Sequence, residues 1–155
     1  MLMHTSSDLT AAEAGQALVA RGVAVVGLAG VALIHLLDSL GKFEETPYMG
    51  WMYVGLMIAC LGAAAALVRA HLREAWLVAL VIPASAVVGF VLTRTVGLPQ
   101  ASEDIGNWSE PLGLAALFVE GAVIAVSAYA LAALRPTAAL AHGQATMSRE
   151  ARAAR

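Results

Sequence analysis

The sequence predicts an all-α fold, an integral membrane four-helix bundle with both termini on the cytoplasmic side. Four apolar stretches cover residues 17–40, 48–68, 75–98 and 112–134. Each supplies the ~20 residues that a helix rising ~1.5 Å per residue needs to cross ~30 Å of hydrocarbon. Hydrophobic residues make up 60% of the chain and charged residues 13%, against roughly 45–50% and 25% in soluble domains. Because lipid cannot satisfy backbone N–H and C=O groups, these stretches must be helical.

The first helix has a recognisable start. Thr10 and Glu13 have the spacing of a capping box, in which each side chain accepts a hydrogen bond from a free backbone N–H of the first turn. We therefore expect the helix to begin near Ala11, after a disordered tail at residues 1–10. Arg21 is the only Lys or Arg near the N-terminal end of the apolar stretch, and no small-residue cleavage pattern follows the stretch. This helix is therefore predicted to be retained rather than removed as a secretory signal.

Small residues indicate where the helices approach one another, because helix contacts in lipid depend on close backbone packing. Pro83 lies inside the third stretch and predicts a kink there. Gly97 can adopt the positive φ that ends a helix, and Pro99 prevents the helix from resuming. The small residues predicted to mediate contacts are Gly27 and Gly30 in the first helix, Gly55, Ala59 and Ala63 in the second, Ser85 and Gly89 in the third, and Gly121 and Ala125 in the fourth.

The charged residues predict the orientation. Short loops rich in Lys and Arg stay in the cytoplasm, and this rule places the termini inside and the loops at 41–47 and 99–111 outside. The transmembrane domain then covers 11–135, and a mobile cytoplasmic tail covers 136–155. The basic residues that support this orientation are Arg21, Arg69, Arg73, Arg135, Arg149, Arg152 and Arg155.

Acidic residues concentrate at the predicted outer face. A solvated loop surface would explain them, and so would an anionic vestibule that raises the local concentration of cations. The aromatic residues Trp51, Tyr53 and Trp108 fit an outer interfacial belt. The acidic residues of this face are Asp38, Glu44, Glu45, Glu103, Asp104 and Glu110.

The ionisable residues that the hydrocarbon should exclude are His35, Asp38, Arg94 and Glu120. A charged group at the centre of a membrane helix costs ~2.5–3.5 kcal/mol, so such groups usually face the bundle interior and pair. Asp38 and Arg94 lie close enough to helix ends to reach the interface, whereas His35 and Glu120 lie deeper. All approach from the outer side, so we expect His35, Arg94 and Glu120 to form one outer-facing, ligand-binding polar layer.

The sequence leaves four interpretations of this layer open. The first is a structural polar network that fixes helix register. The second is a pocket for a small polar or lipid-headgroup ligand, and the third is a site at which His35 and Glu120 handle protons or cations. The fourth is a divalent metal site formed by His35 with Glu44, Glu45 or Glu120. No other cofactor is predicted.

Several other classes have no support in the sequence. Cys60 is the only cysteine, so an intrachain disulfide or a Cys-x-x-Cys redox pair is excluded. The remaining histidines, His4, His71 and His142, lie in the tails and the cytoplasmic loop, which argues against haem held by two histidines. Phosphate-binding loops, serine-nucleophile elbows and zinc-protease motifs are missing from the sequence. No catalytic residue is assigned, and nothing favours nucleic-acid binding.

Five segments of the chain stand out: Ile34-His35-Leu36, Glu45-Thr46-Pro47-Tyr48-Met49-Gly50, Thr93-Arg94-Thr95-Val96-Gly97-Leu98-Pro99, Glu110-Pro111-Leu112-Gly113 and Glu120. Together they resemble a group of small four-span actinobacterial membrane proteins. In that group a His near the end of the first helix, an Arg-Thr-x-Gly-Leu-Pro segment ending the third and a Glu in the fourth recur. The resemblance covers residues 30–120 and implies one shared outer site, with no assigned activity. Members often carry a second His in the first loop, which this chain lacks, and the departure argues against a metal site here.

We therefore expect a non-enzymatic accessory or ligand-sensing protein of the cell membrane. The alternative is a small proton or cation transporter or channel component. A conduction path needs polar residues through the inner half of the bundle, and spans two to four offer almost none there. The expected partners are the lipid bilayer and either another membrane protein or a second copy of the chain, since facing copies could line a path between them.

Overall fold

Four long α-helices form the protein. The computed structural model describes the backbone of residues 3–69 and 73–153, and the side chains of 11–69 and 73–134. The described residues contain no β-strand, which confirms the predicted all-α bundle. The helices are α1 (Met3–Glu45), α2 (Pro47–Arg69), α3 (Arg73–Thr95) and α4 (Pro111–Ala153), and a short 3-10 helix (Ser102–Asp104) lies between α3 and α4.

Each helix contains a segment that is long and apolar enough to cross a membrane. Large apolar side chains such as Leu18, Val26 and Phe118 are exposed on the outside of the bundle. Such a surface is stable in lipid but costly in water. The chain is therefore a multi-pass membrane protein, as predicted. The four membrane-spanning segments are Ala11–Glu45, Pro47–Arg69, Arg73–Thr95 and Pro111–Leu134.

Two helices are longer than the sequence predicted. The prediction that α1 begins near Ala11 is wrong, because its backbone is helical from Met3. Likewise α4 continues to Ala153, through an alanine-rich segment whose dominant residue is the strongest helix former. The side chains of these extensions lie outside the described residues, and the mobility of both tails stays a prediction.

The connection between α1 and α2 is shorter than the expected loop at 41–47. α1 continues to Glu45 and α2 begins at Pro47, so Thr46 alone links them. The backbone N–H of Thr46 bonds to the carbonyl of Lys42, and its own carbonyl accepts from Met49. Proline suits the first position of α2, because its fixed φ is helical and it has no N–H that would need a partner there. Together with the α3–α4 loop, this turn forms what we call the connector end of the bundle. The opposite end, where α2 ends at Arg69 and α3 begins at Arg73, is called the terminal end.

The helices pack in the cyclic order α1, α2, α3, α4. Contacts between α1 and α2, between α3 and α4 and between α1 and α4 are extensive, while those between α2 and α3 are sparse. The apolar core fills the terminal half of the bundle and leaves the connector half less densely packed. Its buried members include Ala24, Leu28, Val31, Cys60, Ala63, Leu67, Trp76, Ala79, Val123 and Leu131.

The contact between α1 and α4 depends on a glycine. A Cβ placed on Gly27 would overlap the Cγ2 methyl group of Val123, and a β-branched side chain has few rotamers with which to move away. We expect Gly27→Ala to lower the free energy of unfolding by about 1–3 kcal/mol, the usual cost of overpacking. The matched control is Gly22→Ala, because among the described residues no atom of another helix lies within 4 Å of a Cβ at Gly22.

Reversible unfolding by SDS in mixed micelles would measure both changes. Gly22→Ala should be neutral or stabilising by up to ~1 kcal/mol, the difference in helix propensity between the two residues. Equal effects of the two substitutions would contradict a close contact at Gly27.

Candidate functional site

Arg94 organises the connector end. It lies in the last turn of α3, and the helix ends just beyond it, where Gly97 adopts a φ of +74°. This confirms the predicted role of Gly97. The chain then folds back over α3, and the N–H of Gly106 donates to the carbonyl of Arg94 at 3.0 Å. The side chain of Arg94 is only 5% exposed, so a permanent charge is enclosed by this loop.

The loop supplies the partners of that charge. One guanidinium nitrogen lies 3.2 Å from Oδ1 of Asp104, and the other donates to Oε2 of Glu110. Nε donates to the carbonyl of Asn107 at 2.6 Å, and the guanidinium lies 4.7 Å from the centroid of the Phe90 ring. Arg94 is therefore held by the α3–α4 loop and the start of α4, and neither His35 nor Glu120 contacts it among the described residues.

A second cation extends this network to α1. Nζ of Lys42 lies 3.6 Å from Oδ2 of Asp104 and 2.9 Å from Oε2 of Glu45. We call Lys42, Glu45, Arg94, Asp104 and Glu110 the connector clasp. Its three carboxylates and two cations join the end of α1, the end of α3, the 3-10 helix and the approach to α4.

His35 and Glu120 meet below the clasp. Nε2 of His35 lies 3.8 Å from Oε1 of Glu120, and their side chains are 10% and 2% exposed. Nδ1 donates to the carbonyl of Val31 at 2.9 Å, which leaves Nε2 directed at Glu120. The ring of Tyr53 packs edge to face on the imidazole, with 4.9 Å between the centroids. The predicted approach of His35 and Glu120 is thus confirmed.

Equal depth explains why these two side chains meet. His35 lies about 15 Å from the end of α1 at Glu45, and Glu120 about 13 Å from the start of α4 at Pro111, by a rise of ~1.5 Å per residue. Since both helix ends lie at the connector end and α1 packs on α4, the two residues reach one level inside the bundle.

All three predicted site residues line one cavity. It has a volume of about 380 Å³ and its wall includes His35, Arg94 and Glu120. Asp38 and Tyr53 add further polar groups. Most of the remaining wall is apolar, as in ligand pockets of roughly 300–1,000 Å³ with a few convergent polar groups. We call it the bundle cavity.

The small residues of α2 and α3 line this cavity. Within the part of the chain that the structure describes, a Cβ on Gly55 or on Gly89 would have no atom of another helix within 4 Å, so the predicted close helix contact at these glycines is wrong. Together with Ala59 and Ser85 they form part of the cavity wall. The sequence signal for close packing therefore marks the gap between α2 and α3.

The metal candidates do not assemble. Within the described residues, no group of three or more His, Cys, Asp or Glu side chains is close enough to hold a metal ion. Of the candidates His35, Glu44, Glu45 and Glu120, the first and last meet, while Glu45 pairs with Lys42.

Sequence reasoning missed the partners of Arg94 and the contact of Tyr53 with His35. The sequence places Asp104 and Glu110 on an acidic outer face, either a solvated loop surface or an anionic vestibule, and Tyr53 in an interfacial belt. The sequence does carry a signal for Asp104 and Glu110. In this chain Arg94 lies at the end of a predicted helix, and the short loop that follows contains several carboxylates. Tyr53 had no such signal, because its neighbour lies on another helix.

Because comparison with known proteins identifies no relative, a functional proposal for this protein depends on the geometry of the site. No protein-family model, curated protein or solved structure matches the chain. The resemblance to four-span actinobacterial proteins stays a prediction.

Proposed function

We propose that this protein is a non-enzymatic ligand-binding protein of the cell membrane, with a sensing or accessory role, and that the bundle cavity is its binding site. The observation that carries the proposal is the convergence of His35, Arg94 and Glu120 on one cavity of about 380 Å³. The apolar wall can enclose the body of a small molecule, and His35 and Glu120 can orient its polar group.

The closed terminal half of the bundle supports binding over conduction. Below the cavity the four helices are packed by the apolar core. Among the described side chains of that half, Ser127 is the only polar one that is fully buried, and its hydroxyl has no hydrogen-bond partner among the described residues. A chain of groups that could pass a proton or cation across one copy is thus missing from the described part of the bundle.

For the orientation, we propose that the connector end faces the exterior and both termini face the cytoplasm. Arg69 and Arg73 flank the terminal end, in keeping with the excess of Lys and Arg on cytoplasmic loops. With Cys60→Ala as background, an impermeant maleimide should label Ser102→Cys in intact cells. Arg73→Cys should react only after permeabilisation, and the reverse pattern would contradict the proposed orientation.

Native mass spectrometry of the protein purified in mild detergent tests the binding function. We expect wild type to carry a small-molecule adduct and Ala86→Phe, which places a large ring in the cavity wall, to lack it. Val88→Phe is the matched control, because Val88 lies on the same helix, is 57% exposed and is not part of the wall. It should keep the adduct.

Two results would contradict the proposed function. One is an adduct that survives Ala86→Phe, because the ligand would then lie elsewhere. The other is proton or cation flux through wild-type protein in liposomes that Glu120→Gln abolishes, because this would favour the transporter alternative.

A further inference from the structure

The bundle cavity opens sideways, between α2 and α3. Gly55 on α2 and Ser85 on α3 both line the cavity, and both are exposed rather than buried. α2 and α3 make the sparsest contact of any neighbouring helix pair, and the glycines that face the gap leave it empty. The wall between these helices is therefore incomplete at this level.

The depth of this opening places it in hydrocarbon. Gly55 lies about 12 Å from the start of α2 at Pro47, and Ser85 about 15 Å from the end of α3 at Thr95, by helical rise. The half-thickness of a bilayer core is about 15 Å. Above the opening, the connector clasp lines the end of the cavity nearest the loops, with Lys42, Arg94 and Glu110 in the wall. A ligand that enters through this gap comes from the lipid.

The charges of the cavity favour a cation over an anion. Arg94 and Lys42 are each already held by two carboxylates of the clasp. In contrast, Asp38 and Glu120 line the cavity, and among the described residues neither lies within 4 Å of a Lys or Arg nitrogen. An anionic headgroup would find both cations occupied, whereas a cation would find two carboxylates that are not paired with Lys or Arg within 4 Å among the described residues.

The geometry of His35 and Glu120 suits a donor between them. Nε2 and Oε1 are 3.8 Å apart, too far for a direct hydrogen bond. An ammonium group has three N–H donors and can donate to both atoms. Tyr53, which also lines the cavity and packs on His35, provides an aromatic ring beside which a cation is stabilised.

We infer that the bundle cavity binds a lipophilic ammonium compound, an amine with a hydrocarbon tail, which enters from the bilayer between α2 and α3 and donates hydrogen bonds to Glu120 and His35. This inference rests on the proposed binding function and names the class of ligand.

Protection of a cysteine at the opening tests the inference. Ser85→Cys in a Cys60→Ala background is placed in phosphatidylcholine nanodiscs, and its reaction with a lipid-permeable methanethiosulfonate reagent is timed. Dodecylamine, dodecanol and dodecanoate, which share one tail and differ in headgroup charge, are added at equal membrane concentrations. We expect dodecylamine to slow the reaction about tenfold or more and the other two to have little effect. A hydrogen bond to a charged group changes an equilibrium by about that factor.

Two controls make the result specific. Val88→Cys in the same background lies one turn away on the lipid-facing side, and dodecylamine should not protect it. Glu120→Gln added to Ser85→Cys should remove most of the protection, since it removes the carboxylate and keeps the shape.

Equal protection by dodecanol would overturn the ammonium inference and leave the binding function intact. Absence of protection by all three compounds, with the mass-spectrometric adduct still present, would overturn both the ligand class and the lateral entry. Loss of the adduct itself would instead count against the proposed function.

Discussion

Arg94→Ala is expected to lower the free energy of unfolding by about 3–5 kcal/mol, the cost of removing one partner from a buried charge network. The guanidinium is 5% exposed and pairs with both Asp104 and Glu110. Without it, the two carboxylates would face each other and Lys42 alone would balance them. The α3–α4 loop would also lose its bond from Nε to the carbonyl of Asn107.

SDS titration in mixed micelles measures this change, and two variants control it. Arg73→Ala removes an exposed arginine from the first turn of the same helix and should alter stability by less than about 1 kcal/mol, as exposed charges do. Arg94→Lys keeps the charge but cannot contact Asp104, Glu110 and Asn107 together, so its stability should lie between those of wild type and Arg94→Ala. A loss at Arg94 no larger than that at Arg73 would show that the clasp does not stabilise the bundle.

The membrane-spanning helices could be predicted because one physical requirement dominates them. Lipid demands about 20 apolar residues and complete backbone hydrogen bonding per crossing, and both leave a direct mark on the sequence. The depth of His35 and Glu120 follows from the same rule, since helical rise converts sequence position into height. Their contact was therefore within reach of sequence reasoning.

The environment of Arg94 could not be predicted in the same way. Its height suggested His35 and Glu120 as partners, but ion pairs depend on which side of the helix faces which neighbour, and the hydropathy of an apolar stretch does not encode that. Asp104 and Glu110 reach Arg94 only because the loop folds back over the end of α3. This path depends on Gly97 and on the 3-10 helix.

Small residues misled for a related reason. Gly27 meets Val123 across a close helix contact, while Gly55 faces open space. Both fit the same small-residue pattern, because a missing side chain permits either a close backbone approach or a cavity. Only the placement of the neighbouring helix decides between these outcomes.

Glu120→Met should raise the free energy of unfolding by about 1–3 kcal/mol and abolish the bound adduct. Glu120 is 1% exposed, and its described polar neighbour, Nε2 of His35, is 3.8 Å away, beyond hydrogen-bond distance. A buried polar group without a hydrogen bond costs about that much, and methionine fills a similar volume with apolar atoms. His35 keeps its bond to the carbonyl of Val31, so the change leaves no new unpaired donor.

A decrease in the free energy of unfolding in Glu120→Met would instead identify His35 and Glu120 as a structural pair. If His35 and Glu120 fix the helix register, Glu120→Met must destabilise the bundle. A carboxylate that is retained for ligand binding instead destabilises the ligand-free protein, so its replacement should stabilise that protein. Ser127→Ala provides the reference, because Ser127 is buried on the same helix with its hydroxyl unpartnered in the described part of the chain. Its removal should stabilise by about 1 kcal/mol and leave the adduct in place. Increased stability of both variants, with the adduct lost only at position 120, would separate a binding carboxylate from an ordinary buried polar group.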